Sequence, residues 1–272
     1  MSLNFNGTNI GGNTGSGGTS NHSQLTNLDY ASAGHTGFMS SENFIPVNTT
    51  YTVKADGTGD FSLLSEAISF LADKWSTGQI NITIGAGTFV ENDQIEIDSK
   101  YIGFPLIKIV GAGMDSTIIQ NSSTKVPLRF VGLINANIIL KDFTVENTNE
   151  TAPVSIINGS GFKKLRLNGI KIKNAQYGLF LGGTNSEFAI EGAFTVENCT
   201  VCGIEVQNNS VLVVGQGMVT FNNMPLGVHV YRQSKVIFIA TPLTFNSVTT
   251  KASIAINTQT TDGYIYTDSG TI

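Results

Sequence analysis

The sequence predicts an all-β chain wound as a solenoid of stacked parallel rungs, closed at its N-terminal end by an amphipathic helix and preceded by an extended arm. Three observations carry that prediction. An apolar-polar-apolar triplet recurs as Phe143-Thr-Val145, Ile170-Lys-Ile172, Phe194-Thr-Val196, Val219-Thr-Phe221 and Leu243-Thr-Phe245, at steps of 27, 24, 25 and 24 residues, which is a solenoid period. A second strand series returns at a similar period, in Val154-Ser-Ile-Ile157, Gly178-Leu-Phe-Leu181, Gly203-Ile-Glu-Val206, Gly227-Val-His-Val230 and Ser253-Ile-Ala-Ile256. Finally, only 13% of the 272 residues are charged while 30 are glycine, against roughly 25% charged in ordinary domains. In a solenoid each rung uses its positions for inward aliphatics, Asn or Gly corners and outward Thr or Ser, so few remain for Lys and Glu.

The elements follow in order. Residues 1–48 read as an extended arm, because 11–18 is Gly-Gly-Asn-Thr-Gly-Ser-Gly-Gly, a flexible composition with nothing to bury. Residues 49–79 read as a strand and a capping helix. Phe61, Leu64, Ile68, Leu71 and Trp75 step by three and four, one face of a 3.6 period, with Ser62 as the expected N-cap and Thr77-Gly78 as the stop. Residues 80–272 read as the solenoid. Ile80-Asn-Ile-Thr-Ile84 alternates as its first strand, and roughly eight rungs are expected up to Ile265 at about 4.8 Å each. An asparagine follows each triplet (Asn147, Asn174, Asn198, Asn222-Asn223, Asn246), placed to pair amides along the axis while adopting the left-handed turn that Asn tolerates. Its position shifts in the fourth and fifth repeats, where the register is expected to slip by one.

Composition excludes several functions. With a net charge of −5 and 15 Lys and Arg spread thinly, the chain has no basic stripe to displace counterions from nucleic acid. The opening residues carry neither a basic region nor an apolar core of the secretory type, and no run reaches the roughly 18 apolar residues of a membrane span. The expectation is therefore a protein without leader or membrane insertion. Cys199 and Cys202 form a lone Cys-x-x-Cys without further ligands at metal spacing. No metal or cofactor is expected, and both cysteines read as small core residues.

Two resemblances add expectations. His22-x-x-Leu25-x-Asn27-Leu28-Asp29-Tyr30, followed by Gly34-His35-Thr36-Gly37-Phe38, resembles a short N-terminal segment of bacteriophage tail and appendage proteins. It implies a virion protein, commonly a homotrimer, whose arm (His22, Leu25, Asn27, Leu28, Asp29, Tyr30, Gly34, His35, Gly37, Phe38) docks on capsid, neck or tail proteins. Tyr51-Thr-Val-Lys-Ala-Asp-Gly-Thr-Gly-Asp-Phe61, the helix and Gly85-Ala-Gly-Thr-Phe-Val-Glu-Asn92, then Ile107-Lys-Ile-Val110 and residues 111–119, are similar to the opening of pectin methylesterases and other pectin-lyase-like proteins. That resemblance implies a right-handed parallel β-helix whose N-terminal helix plugs the first rung.

The chemistry of that second family can be checked position by position. Gly87-Thr-Phe-Val-Glu91 matches its Gly-x-aromatic-x-Glu element, and Phe143-Thr-Val-Glu-Asn-Thr148 matches the strand before its first catalytic motif. Beyond that the match ends. Ala152-Pro-Val-Ser-Ile156 stands where the family has Gln-Ala-Val-Ala-Leu, and Gln176-Tyr-Gly-Leu179 where it has Gln-Asp-Thr-Leu with the acid/base aspartate. The nucleophilic aspartate is missing, and the single tryptophan, Trp75, belongs to the cap. Among other carboxylates, the outward column Glu146, Lys173, Glu197 reads as a solvated charge ladder, and Asp142, Glu187, Glu191 and Glu205 stand singly among turns. His22, His35 and His229 are unpaired by spacing, and Arg129, Arg166 and Arg232 are the only arginines. Tyr231, Arg232, Tyr264 and Tyr266 offer stacking faces for host-surface glycan, with packing against the rung below as the favoured alternative for each. The sequence alone thus favours a non-catalytic structural appendage of a phage particle. Its alternatives are a polysaccharide-degrading β-helix enzyme (lyase, hydrolase or esterase) and a passive decoration.

Overall fold

A computed structural model describes residues 43–98, 101, 103–149, 155–183, 187–215, 217–239, 242–255 and 264–267. The chain divides into residues 1–41 and 42–272, and the described residues all belong to the second unit. The ten arm positions from His22 to Phe38 lie outside them.

In chain order the elements are β1 (Thr50–Val53), α1 (Leu64–Leu71), β2 (Gln79–Ile84), β3 (Gly87–Glu91), β4 (Ile95–Ile97), β5 (Leu106–Val110), β6 (Thr117–Asn121), β7 (Leu128–Asn147), β8 (Ser155–Gly182), β9 (Glu187–Ile190), β10 (Phe194–Val206), β11 (Val211–Val214), β12 (Val219–Tyr231), β13 (Lys235–Phe238), β14 (Leu243–Ala255) and β15 (Tyr264–Thr267). Among the described residues every strand pair is parallel, and three faces run along the axis. On the first face the order is β1-β2-β5-β7-β8-β9-β11-β13-β15. The second stacks β3, β6 and the triplets of β7, β8, β10, β12 and β14. The third carries β4 and the remaining segments of the long strands, which bend to serve more than one face. A strand that leaves a sheet and returns parallel to it does so with a right-handed crossover, so the coil is a right-handed parallel β-helix.

Inward positions alternate along each strand and fill one continuous core. Phe143, Ile170, Phe194, Val219 and Phe221 are fully buried, with Val145, Ile172 and Val196 beside them. The five triplets pair in register throughout: Phe143 with Ile170, Ile170 with Phe194, Phe194 with Val219, and Val219 with Leu243. The expected slip therefore does not occur in that series. The shifting asparagine has another cause, since two adjacent columns are involved. Glu146, Lys173, Glu197, Asn222 and Asn246 form the outward column. The next position holds the left-handed turn, at Asn174 (φ 63°), Asn198 (57°), Asn223 (55°) and Ser247 (53°). Amides pair along both columns: Asn198 Nδ2 donates to Asn174 Oδ1 (3.1 Å), Asn223 to Asn198 (3.0 Å) and Asn246 to Asn222 (2.8 Å). Asn147 departs from the expected ladder. It is buried in register with Asn121, and its Oδ1 accepts from the Asn149 backbone N–H in a local turn. In the second series the last repeat pairs two residues earlier than its sequence alignment indicates, Val230 with Ile254. A shift of two keeps every side chain on its own face.

The cap departs from expectation at both ends. The helix stops at Leu71, and Asp73 takes φ 60°. Trp75 then bridges to Phe44, their rings 4.6 Å apart. The N-cap position is Leu63, whose side chain has no polar atom, so the free N–H groups of the first turn find carboxylates elsewhere. Glu66 Oε2 accepts from Ser62 and Leu63 N–H, and buried Glu91 Oε1 accepts from Leu64 (2.9 Å) and Ser65 (3.2 Å). Glu91 is the last residue of β3, so the Gly-x-aromatic-x-Glu element ties the plug helix to its first rung, where a carboxylate also complements the helix dipole.

Candidate active site

On the third face, the strand segments beginning at Gly178, Gly203 and Gly227 each put one residue outward between two buried aliphatics. Register pairs Phe180 with Glu205 and Glu205 with His229, and the next position of this column is Ser253. The three glycines form a column of close approach. A Cβ on Gly203 would lie 2.8 Å from Met224 Sδ and 2.9 Å from the Gly227 carbonyl oxygen, and one on Gly227 would lie 2.5 Å from the Lys251 oxygen. Only a residue without a side chain lets adjacent rungs meet here.

Glu205 points outward yet is only 5% exposed. Its carboxylate oxygens are divided between two partners. His229 Nδ1 lies 3.2 Å from Oε2, and the Tyr231 hydroxyl donates to Oε1 at 3.3 Å. The His229 and Tyr231 rings stack at 5.1 Å with a 26° tilt. Tyr177 and Phe180 meet edge to face at 6.1 Å on the preceding rung. Burial raises the pKa of both Tyr177 and Tyr231, and the Glu205 charge raises both further, so both phenols stay protonated. Arg232 sits over the Tyr231 ring at 5.2 Å and donates to Asn208 Oδ1 at 3.2 Å. A half-buried carboxylate-imidazole pair with a phenol on the second oxygen is the arrangement that fixes a histidine tautomer and frees its other nitrogen for proton transfer.

The residues singled out from sequence fall in different places. Tyr231 and Arg232 join this site, but the Tyr231 ring is already engaged by His229 and Arg232. Tyr264 and Tyr266 lie in β15 on the first face, paired with Lys235 and Ile237. Their side chains are outside the described residues. The charge ladder is as expected, with Lys173 Nζ 3.3 Å from Glu146. Asn222 donates to Glu197. Cys199 and Cys202 are buried and free, with the Cys199 thiol pushed up to about 12 and the Cys202 thiol raised further by burial and Glu205. Among the described residues, no group of three His, Cys, Asp or Glu is placed to hold a metal. Sequence reasoning missed Glu205 and His229 as a pair, although aligning the second strand series puts them at the same place in successive repeats. Tyr177 lies close enough to Glu205 to feel its charge.

No family model matches the chain. A pectinesterase of Daucus carota is 32% identical over 108 residues, 38% of this chain and 32% of that protein. Pectinesterase 3 of Solanum lycopersicum is 33% identical over 101 residues, 35% of this chain and 18% of that protein. The matched stretches span a third or less of these relatives' own length. Among solved structures, the pectin methylesterase from carrot superposes with a TM-score of 0.50 over 83% of this chain and 84% of its own, at 16% identity. The fold is therefore the pectin methylesterase-like right-handed β-helix. These findings correct the expectation of a phage structural appendage, with its virion, tail-fibre and host-attachment roles. The sequence relatives are plant pectinesterases, and the enzyme alternative accords with them better.

Proposed function

We propose that this chain is a polysaccharide-modifying enzyme that hydrolyses esters on a carbohydrate polymer, with Glu205 and His229 as its proton-transfer pair. The observation that carries the reading is the buried Glu205 carboxylate held on His229 Nδ1 and the Tyr231 hydroxyl. The likeness to pectinesterases and to the fold of a pectin methylesterase supports methyl-esterified pectin as the substrate class.

The chemistry follows from the pair. With Nδ1–H donating to Glu205, His229 Nε2 accepts a proton from water as its oxygen bonds to the ester carbonyl carbon. Glu205 balances the imidazolium that results. When the ester C–O bond breaks, the leaving alkoxide takes the proton back from His229, giving methanol and a carboxylic acid, which then loses its remaining proton to solvent and becomes the carboxylate. This arrangement replaces the paired aspartates that the resemblance implied and the sequence lacks.

The test is methanol release from methyl-esterified pectin by the purified full chain. Release is expected, with His229→Ala slower by about 10²- to 10⁴-fold, the usual contribution of a positioned acid-base group. A folded chain that releases no methanol, or a His229→Ala variant at the parental rate, contradicts the proposal.

A further inference from the structure

On the third face, one register column runs Phe180, Glu205, His229 and Ser253, one residue per rung. The last three carry chemistry, in the order acid, base, hydroxyl. That order depends on the register of β14. Aligning the repeats by sequence sets Ser253-Ile-Ala-Ile256 against Gly227-Val-His-Val230, which puts Ala255 on the rung next to His229. The structure instead pairs Val228 with Ala252, His229 with Ser253 and Val230 with Ile254. The shift of two residues in the last repeat is therefore what brings a serine into register with the imidazole, about 4.8 Å along the axis.

His229 is held in one orientation. Its Nδ1 is turned to Glu205 Oε2 on the preceding rung, at 3.2 Å, and the Tyr231 ring stacks on it at 5.1 Å. The Tyr231 hydroxyl holds the other Glu205 oxygen. With the proton of the imidazole on Nδ1, the lone pair is on Nε2, across the ring from Glu205 and on the side of the rung that carries Ser253. A serine hydroxyl is a weak nucleophile until an adjacent base takes its proton, and that base in turn needs a third group to orient it. We propose that Ser253 is the nucleophile of the ester hydrolysis, with His229 as its base and Glu205 as the group that orients the base. The proposal rests on the esterase reading and divides its displacement into two. In the first, Ser253 Oγ bonds to the ester carbonyl carbon as its proton passes to His229 Nε2. The C–O bond to the methoxy group then breaks, and the methoxide takes that proton and leaves as methanol, with the acyl group on Ser253. In the second, water gives a proton to Nε2 as its oxygen bonds to the acyl carbon. The bond to Ser253 Oγ breaks, Oγ recovers the proton, and the released acid ionises to solvent. A nucleophile fixed on the scaffold avoids the entropy of recruiting a water for the first attack.

The test treats the full chain with phenylmethylsulfonyl fluoride and reads the intact mass and the modified peptide. Serine oxygen displaces fluoride from sulfur in this reagent, and the serine proton leaves with the fluoride. The parent is expected to gain a single sulfonyl group, on Ser253. Ser253→Ala and His229→Ala are expected to gain none. On methyl-esterified pectin, Ser253→Ala is expected to release methanol about 10²- to 10⁴-fold more slowly than the parent, as His229→Ala does, because members of such a unit lose their effect together. Labelling of the parent needs no variant to fold. A parent that releases methanol but is not labelled at Ser253, or a Ser253→Ala chain at the parental rate, overturns the inference and leaves water attacking the substrate ester directly. Labelling at Ser253 that depends on His229, in a parent that releases no methanol, supports the nucleophile and defeats the pectin esterase reading alone.

Discussion

Glu205 and Cys202 stand three residues apart on one strand and illustrate what burial does to an ionisable group. Cys202 and Cys199 face the interior, where desolvation of the thiolate dominates and raises both thiols. Since the thiolate is the reactive form, neither cysteine is expected to react with a thiol reagent at pH 8 until the chain unfolds, when both react. Rapid labelling of the native protein would contradict this. The sign of the pH effect on stability follows from the same shift. Cys199 rises from 9.0 to about 12 on folding, so its contribution is complete below pH 9. It is lost as pH climbs from 9 to 12, because there the unfolded chain releases a proton that the folded chain retains. Denaturant midpoints measured across that range are expected to fall. Both cysteines were legible as core residues because Cys-x-x-Cys lacked partners. Glu205 was not legible as part of a site, since its single position among turns gave no sign of its neighbours. Only the rung spacing, which brings residues 24 apart into contact, joins it to His229.

At the scale of elements, the sequence carried most of the information because strand periodicity and rung period are both local patterns. The five triplets and the core of the amphipathic helix appear where their spacing put them, and so do the corners at Asn174, Asn198 and Asn223, whereas Asn147 makes a local turn instead. The departures have specific causes. The helix ended one turn early because Asp73 adopts a left-handed conformation and Trp75 gains a bridge to Phe44. Its N-terminus is satisfied by Glu91 from 27 residues away, a contact that no local capping rule could reveal. Replacing Glu91 by Ala leaves the Leu64 and Ser65 N–H groups without their charged acceptor. It is expected to lower stability by about 2 kcal/mol, in the range for hydrogen bonds to charged groups, as read from a denaturant midpoint. An unchanged midpoint would mean that water replaces the carboxylate and that Glu91 does not hold the plug. The Gly178, Gly203, Gly227 column makes a second expectation at this scale. Gly203→Ala forces a Cβ against Met224 and Phe221, each 2.8 Å away. Overpacking of that kind costs about 1–3 kcal/mol, and a variant as stable as the parent would contradict the close approach.

For the whole molecule, the scarcity of charge has two consequences. It follows from the solenoid, in which inward aliphatics and turn residues take most positions, and it leaves few carboxylates from which a site can be assembled. Read along the sequence, that inventory suggested a structural role, since the motif positions of the esterase family hold other residues. Folded, the chain gathers Glu205, His229, Tyr231, Tyr177 and Arg232 on successive rungs of one face, and its sequence relatives are pectinesterases. The account therefore depends on Glu205 and His229 acting as one unit. A double-mutant cycle on ester hydrolysis tests this most directly, with kcat/KM measured for the parent, Glu205→Gln, His229→Ala and the double variant on methyl-esterified pectin. Groups that act together lose their effect together, so the double variant is predicted to be no slower than the slower single variant. Losses that multiply across the two sites would show that Glu205 and His229 act independently, and would contradict the account.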